Sequence, residues 1–101
     1  MKNIDVINAF LNNDDENAYM STAHVSFRGN RLWSYNTVIA EKQKSATGDW
    51  DILLINKTKY SVTTSKHQTY LNRALAAVAS KYQIVEIPPM VLPNTQHLYN
   101  L

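Results

Sequence analysis

"KYSVTTSKHQTYL", residues 59–71, is where this sequence stops favouring sheet and begins to favour helix. Ser65 and Gln68 have the spacing of a capping box. In that motif Ser65 Oγ accepts from the Gln68 amide, and the Gln68 side chain returns to the amide of Ser65. Behind it Leu71, Leu75, Val78 and Tyr82 recur on one helical face, among Ala74, Ala76, Ala77 and Ala79, which are strong helix formers. The spacing predicts one long helix over about residues 65–81, with "KYSV" as the last strand before it. Capping accounts for Ser65 and Gln68. It does not account for Lys66 and His67, because the positive end of a helix disfavours cations.

Upstream, Val25 and Phe27 alternate with polar neighbours, and Gly29-Asn30 supplies residues tolerant of positive φ. A long β-rich run follows. Read as one strand, it places Trp33, Tyr35, Thr37 and Ile39 on one face, with Leu32, Ser34, Asn36, Val38 and Ala40 on the other. The first face carries the larger apolar area and is the expected core face. "KSATGD" is a loop, "WDILLIN" a buried strand and "NKT" a tight turn into "KYSV". Such short connections make a four-stranded antiparallel meander. "YQIVEI" can return as a fifth strand.

At the N-terminus Asn3 can cap a short helix over residues 4–12, with Ile4, Ile7 and Leu11 on one face, before "NNDDEN" breaks it. The expected fold is therefore α+β: a short N-terminal helix, a four- to five-stranded mostly antiparallel sheet, and the long helix packed on it. Residues 1–101 read as a single domain. The helix lies within 1–13, sheet and long helix within 24–87, and 88–101 form an extended tail containing prolines.

Composition narrows the functions. The chain has no cysteine, which removes disulfides, thiol nucleophiles and Cys-type zinc sites and fits a reducing compartment. The N-terminus lacks the continuous apolar stretch of a secretory signal, and no apolar run approaches the ~18 residues of a membrane span. The expected location is a reducing cytosol, with no membrane partner. His24, His67 and His97 stand far apart with no ligand spacing between them, so neither a metal nor a cofactor is expected. With only Gly29 and Gly48, no phosphate-cradling loop motif exists.

Catalysis has little support. Ser65 beside Lys66 or His67 offers hydroxyl and base together, but neighbours one and two apart on a helix do not face each other, and capping occupies Ser65. Asp49 and Asp51 flank Trp50 as a solvated strand edge. Charge says more. Residues 24–81 hold nine Lys and Arg against three acidic residues, while residues 1–23 are net acidic. Arg28, Arg31, Lys42, Lys44, Lys57 and Lys59, interleaved with Trp33, Tyr35 and Tyr60, match the footprint of a sheet that binds single-stranded nucleic acid. Trp33 and Tyr35 are also the best core residues, and one face cannot bury the core and stack bases.

"SYNTVIA" (34–40) and "TKYSVTTSKHQ" (58–68) resemble the paired motifs of a family of small proteins from phages, prophages and mobile elements of Gram-positive bacteria. The resemblance spans roughly residues 24–72 and brings no activity with it. It implies a phage-type accessory protein. Proteins of that size and setting include inhibitors of host defence, anti-CRISPR proteins among them. The motifs concentrate polar residues that capping explains only in part, and Tyr35, Asn36, Lys59, Tyr60, Thr64, Lys66 and His67 form the candidate binding set. They would make either a polar network locking strand to helix or a recognition surface for an anionic group. The expected function is non-enzymatic binding and inhibition of a bacterial host protein, such as a CRISPR-Cas nuclease complex. The alternative is a sheet-based nucleic-acid-binding accessory protein.

Overall fold

The structure is a computed structural model that describes residues 2–13, 15, 17–58 and 61–87. Along them run α1 (Asn3–Asn12), β1 (Tyr19–Ser21), β2 (Val25–Arg28), β3 (Arg31–Ser34), β4 (Thr37–Gln43), β5 (Ile52–Asn56), α2 (Val62–Leu75) and β6 (Gln83–Ile87). The fold is α+β. The six strands lie in the sheet in chain order, antiparallel from β1 to β5, and β6 joins parallel to β5. A parallel neighbour needs a crossover, and α2 supplies it.

Strand count exceeds the four or five expected for two reasons. Tyr19–Ser21 adds an edge strand to β2, and the run over residues 31–43 is a hairpin rather than one strand. Tyr35 and Asn36 make its turn, with Tyr35 at a φ of 54°. A Tyr-Asn pair carries none of the Gly or Pro signals by which such turns are read. "KYSV" does not form the expected strand: Ser61 caps α2, Val62 begins it, and Lys59 and Tyr60 lie outside the described residues. The tail expected over 88–101 lies outside them too.

The core face is also not the expected one. Register shifts between Leu32 and Trp33, so that Leu32 pairs with Ala40 while Trp33 pairs with Val38. This bulge brings Leu32, Ile39 and Ala40 to the helix side, against Val6, Phe10 and Leu71. Trp33 packs on the other face with Val38, Leu54 and Ile87. Tyr35 is exposed at the hairpin tip.

Both helices lie on the first face. Val6, Ile7, Phe10 and Leu11 of α1 meet Leu71 and Leu75 of α2 over Val25, Phe27, Leu53 and Ile55 of the sheet. Tyr82, just before β6, is buried there, and its hydroxyl donates to the Leu11 carbonyl at 2.6 Å. α1 begins one residue earlier than expected. Lys2 takes the cap position and Asp5 Oδ2 accepts from its amide at 2.8 Å, which leaves the Asn3 side chain for another use.

α2 starts three residues early and stops six residues short of the expected Lys81. Its buried stripe is Thr64, His67, Leu71 and Leu75. Two of these four are polar, so an apolar pattern first registers the helix at Leu71. Ser61 Oγ accepts from the Thr64 amide at 3.1 Å and is the N-cap in place of Ser65. Gln68 donates to the carbonyls of Asn56 and Thr58, tying α2 to the end of β5 rather than closing a capping box.

Candidate functional site

Four pieces of chain meet at one end of the domain: the β1–β2 turn, the β3–β4 turn, and the first turns of α1 and α2. A chain of hydrogen bonds joins them. Thr22 Oγ1 accepts from the amides of His24 and Val25, at 3.3 and 3.1 Å. Its single proton has two acceptors in reach, the Val25 carbonyl at 3.2 Å and Asn3 Oδ1 at 2.5 Å, and goes to the closer one, Asn3. That fixes the orientation of the Asn3 amide, whose Nδ2 then donates to His67 Nε2 at 3.3 Å. An accepting Nε2 places the ring proton on Nδ1, which donates to Ser34 Oγ at 2.6 Å. Ser34 passes its own proton to Thr64 Oγ1 at 3.2 Å. Ser61 Oγ donates to the same oxygen.

Each donor in this chain has an acceptor only if His67 is neutral. A protonated ring would set a second N–H against the Asn3 amide N–H. The local electrostatics agree. Burial lowers the His67 pKa from its ordinary 6.5, and the nearby charges of His24 and Lys66 lower it further.

Ser34 and His67 are the hydroxyl and imidazole that a hydrolytic site would need, brought together from residues with no sequence proximity. They are not arranged for attack. In the tautomer assigned from the Asn3 bond, His67 donates to Ser34, the wrong direction for a general base. Ser34 is 0% and His67 2% exposed, so no substrate carbonyl reaches the hydroxyl. The pair acts as a strut between β3 and α2. Among the described residues no three His, Cys, Asp or Glu side chains group to hold a metal ion.

Over this strut lies an exposed rim. Tyr35 stands at the hairpin tip, 48% exposed, its amide donating to the His24 carbonyl at 2.8 Å. The His24 ring meets it edge-on, centroids 5.3 Å apart, and the His67 ring lies 6.1 Å away on the inner side. Asn36 is exposed beside Tyr35. On α2, Val62 is 89% exposed and Thr63 and Lys66 also face solvent, with Lys66 Nζ 5.8 Å above the Tyr70 ring.

Of the candidate binding residues, the structure thus places Tyr35, Asn36 and Lys66 on the surface. Thr64 and His67 are buried, and Lys59 and Tyr60 fall outside the described residues. Asn3, Thr22, His24, Ser34, Ser61 and Val62 also meet here, although none belongs to the candidate binding set. The signal for Ser61 is a hydroxyl three residues before Thr64, a second N-cap register next to Ser65. For Asn3, Thr22 and Ser34, contacts between distant segments alone reveal the role.

The chain matches no protein-family model, no curated protein and no solved structure. No helix among the described residues is long and apolar enough to cross a membrane.

Proposed function

We propose that the chain is a non-enzymatic, phage-type accessory protein that binds a bacterial protein and blocks it, a host-defence nuclease complex of the CRISPR-Cas kind being the partner class. The supporting observation is Tyr35. A tyrosine at a φ of 54° sits in the left-handed region, where glycine or asparagine is at ease and a bulky side chain costs roughly 1–2 kcal/mol. The ring is half exposed, one side towards solvent and the other against the His24 and His67 rings. Strain kept at an exposed position supports a role in recognition. Val62, the most exposed apolar side chain at this end, supports the same surface, and buried Ser34–His67 beneath it favours a rigid platform over chemistry.

The test is capture from a bacterial lysate together with inhibition of the captured activity. Tyr35→Gly relieves the backbone and should melt within a few degrees of the parent, yet lose the partner and the inhibition. A Tyr35→Gly protein that retains the same partner in the same yield rules the rim out as the binding surface.

A second reading, a sheet-based nucleic-acid-binding protein, has its own support. Trp33 is not in the main core. It sits on the helix-free face with Tyr19, which is 72% exposed and carries the Arg28 guanidinium 5.6 Å from its ring. Affinity for a short single strand should then fall steeply with salt, because displaced counterions supply the drive. Salt-independent binding, or none, removes this alternative.

A further inference from the structure

A cleft of about 640 Å³ opens between the start of α1 and the middle of α2, lined by Lys2, Asn3, Ile4, Tyr70 and Arg73. It lies apart from the tyrosine rim, and its wall has a definite chemistry. Tyr70 and Arg73 are spaced three apart and so share one face of α2. Lys2 stands opposite, at the head of α1. Neither the Lys2 nor the Arg73 side chain has a hydrogen bond or ion pair among the described residues, and both are exposed. No carboxylate lines the cleft. Asp5, in the first turn of α1, is turned back on the Lys2 amide and offsets the positive end of the helix. The positive character of the cleft therefore comes from its side chains.

Three of its five lining residues are not charged. Asn3 is polar, Ile4 is apolar, and Tyr70 is a half-buried ring with Lys66 Nζ 5.8 Å from its centroid and the His67 ring 6.5 Å away, so the cleft sets an apolar and aromatic wall between separated cations. A bare anion would use only the cations. The volume falls within the roughly 300–1,000 Å³ of small-molecule sites, well above what one phosphate fills. We propose that this cleft binds a nucleoside phosphate, with Lys2 and Arg73 on the phosphate and Tyr70 against the base. The same chemistry is offered by a free nucleotide and by the phosphorylated end of a single strand. Asn3 connects the site to the interior, because its side-chain amide holds His67 Nε2. Occupancy of the cleft should therefore be felt at the buried imidazole as well as at the surface.

The test is an NMR titration of the full chain with adenosine monophosphate, inorganic phosphate, and a short oligonucleotide with and without its 5′-phosphate. Saturable shifts at Lys2–Ile4, Arg73 and the His67 ring are expected with the nucleotide, which should bind at least tenfold more tightly than inorganic phosphate. A Lys2→Gln, Arg73→Gln double variant, altered only at exposed positions, should lose at least tenfold in affinity with its spectrum otherwise intact. Tyr70→Leu should bring nucleotide affinity down to that of phosphate. An oligonucleotide that binds only with its 5′-phosphate marks a strand end as the source, whereas binding by the free nucleotide alone marks a soluble ligand. No saturable shift at millimolar nucleotide overturns the proposal. So does oligonucleotide binding indifferent to the 5′-phosphate, which would mean contact with an internal backbone. Neither variant touches Tyr35 or Val62, so failure here leaves capture of a protein partner at the rim unaffected.

Discussion

His67 Nδ1 lies 2.6 Å from Ser34 Oγ, across 33 positions of chain. That bond fastens the first turns of α2 to the last residue of β3, directly beneath the tyrosine that the β3–β4 turn displays. The display of Tyr35 and the burial of His67 are two sides of one construction. Removing the imidazole takes one hydrogen bond from each of Ser34 Oγ and Asn3 Nδ2, and Ser34 lies fully buried.

His67→Ala should therefore destabilise the fold by about 2–4 kcal/mol, combining unsatisfied polar groups with a cavity. Lys66→Ala, one residue away but exposed, should stay within about 0.5 kcal/mol of the parent. Urea unfolding of the two variants checks this. Equal costs would mean that Lys66 also holds the fold together.

Ser61→Ala should cost about 0.5–2 kcal/mol as a lost N-cap. Ser65→Ala, inside the first turns of α2, should change stability by no more than about 0.5 kcal/mol. Thermal melts of both place the cap. The reverse order would return the helix start to Ser65.

This pair of variants also shows where the sequence was legible. Leu71 and Leu75 of the apolar spacing lie in α2, while Val78 and Tyr82 fall beyond its end, and the apolar runs of "WDILLIN" and "YQIVEI" announced β5 and β6. The first turns of α2 stayed hidden because they are built on Thr64 and His67, whose burial depends on partners in α1 and β3. Tyr35 misled for a related reason. Its positive φ breaks a run that alternates like one strand, and the bulge at Leu32–Trp33 then exchanges the faces. Of the candidate site, motif residues on both sides of the junction meet at one end of the domain. The network itself depends on contacts between distant segments, and no local pattern encodes those.

Stability should depend on pH through His67. Its folded pKa is lowered, by burial first and then by the charges of His24 and Lys66. A base whose folded pKa lies below the unfolded 6.5 binds fewer protons when folded. The stabilisation is thus full above about pH 6.5 and declines as pH falls from there towards the folded pKa, with a slope of at most about 1.4 kcal/mol per pH unit for one proton. Urea midpoints recorded from neutral pH downwards should fall in the parent. The part of that slope due to His67 should be missing in His67→Gln. Identical slopes in the two proteins would assign the dependence to other groups.

The state of the His67 ring can be observed by nitrogen NMR of the imidazole in the intact protein. At neutral pH the signals should be those of a neutral ring protonated at Nδ1, with Nε2 unprotonated, and the titration midpoint should lie below pH 6.5. That result fits a buried strut donating to Ser34 beneath the exposed rim. A ring protonated at Nε2 with Nδ1 free to accept from Ser34, or a ring already charged at neutral pH, would contradict it and reopen Ser34 and His67 as a reactive pair.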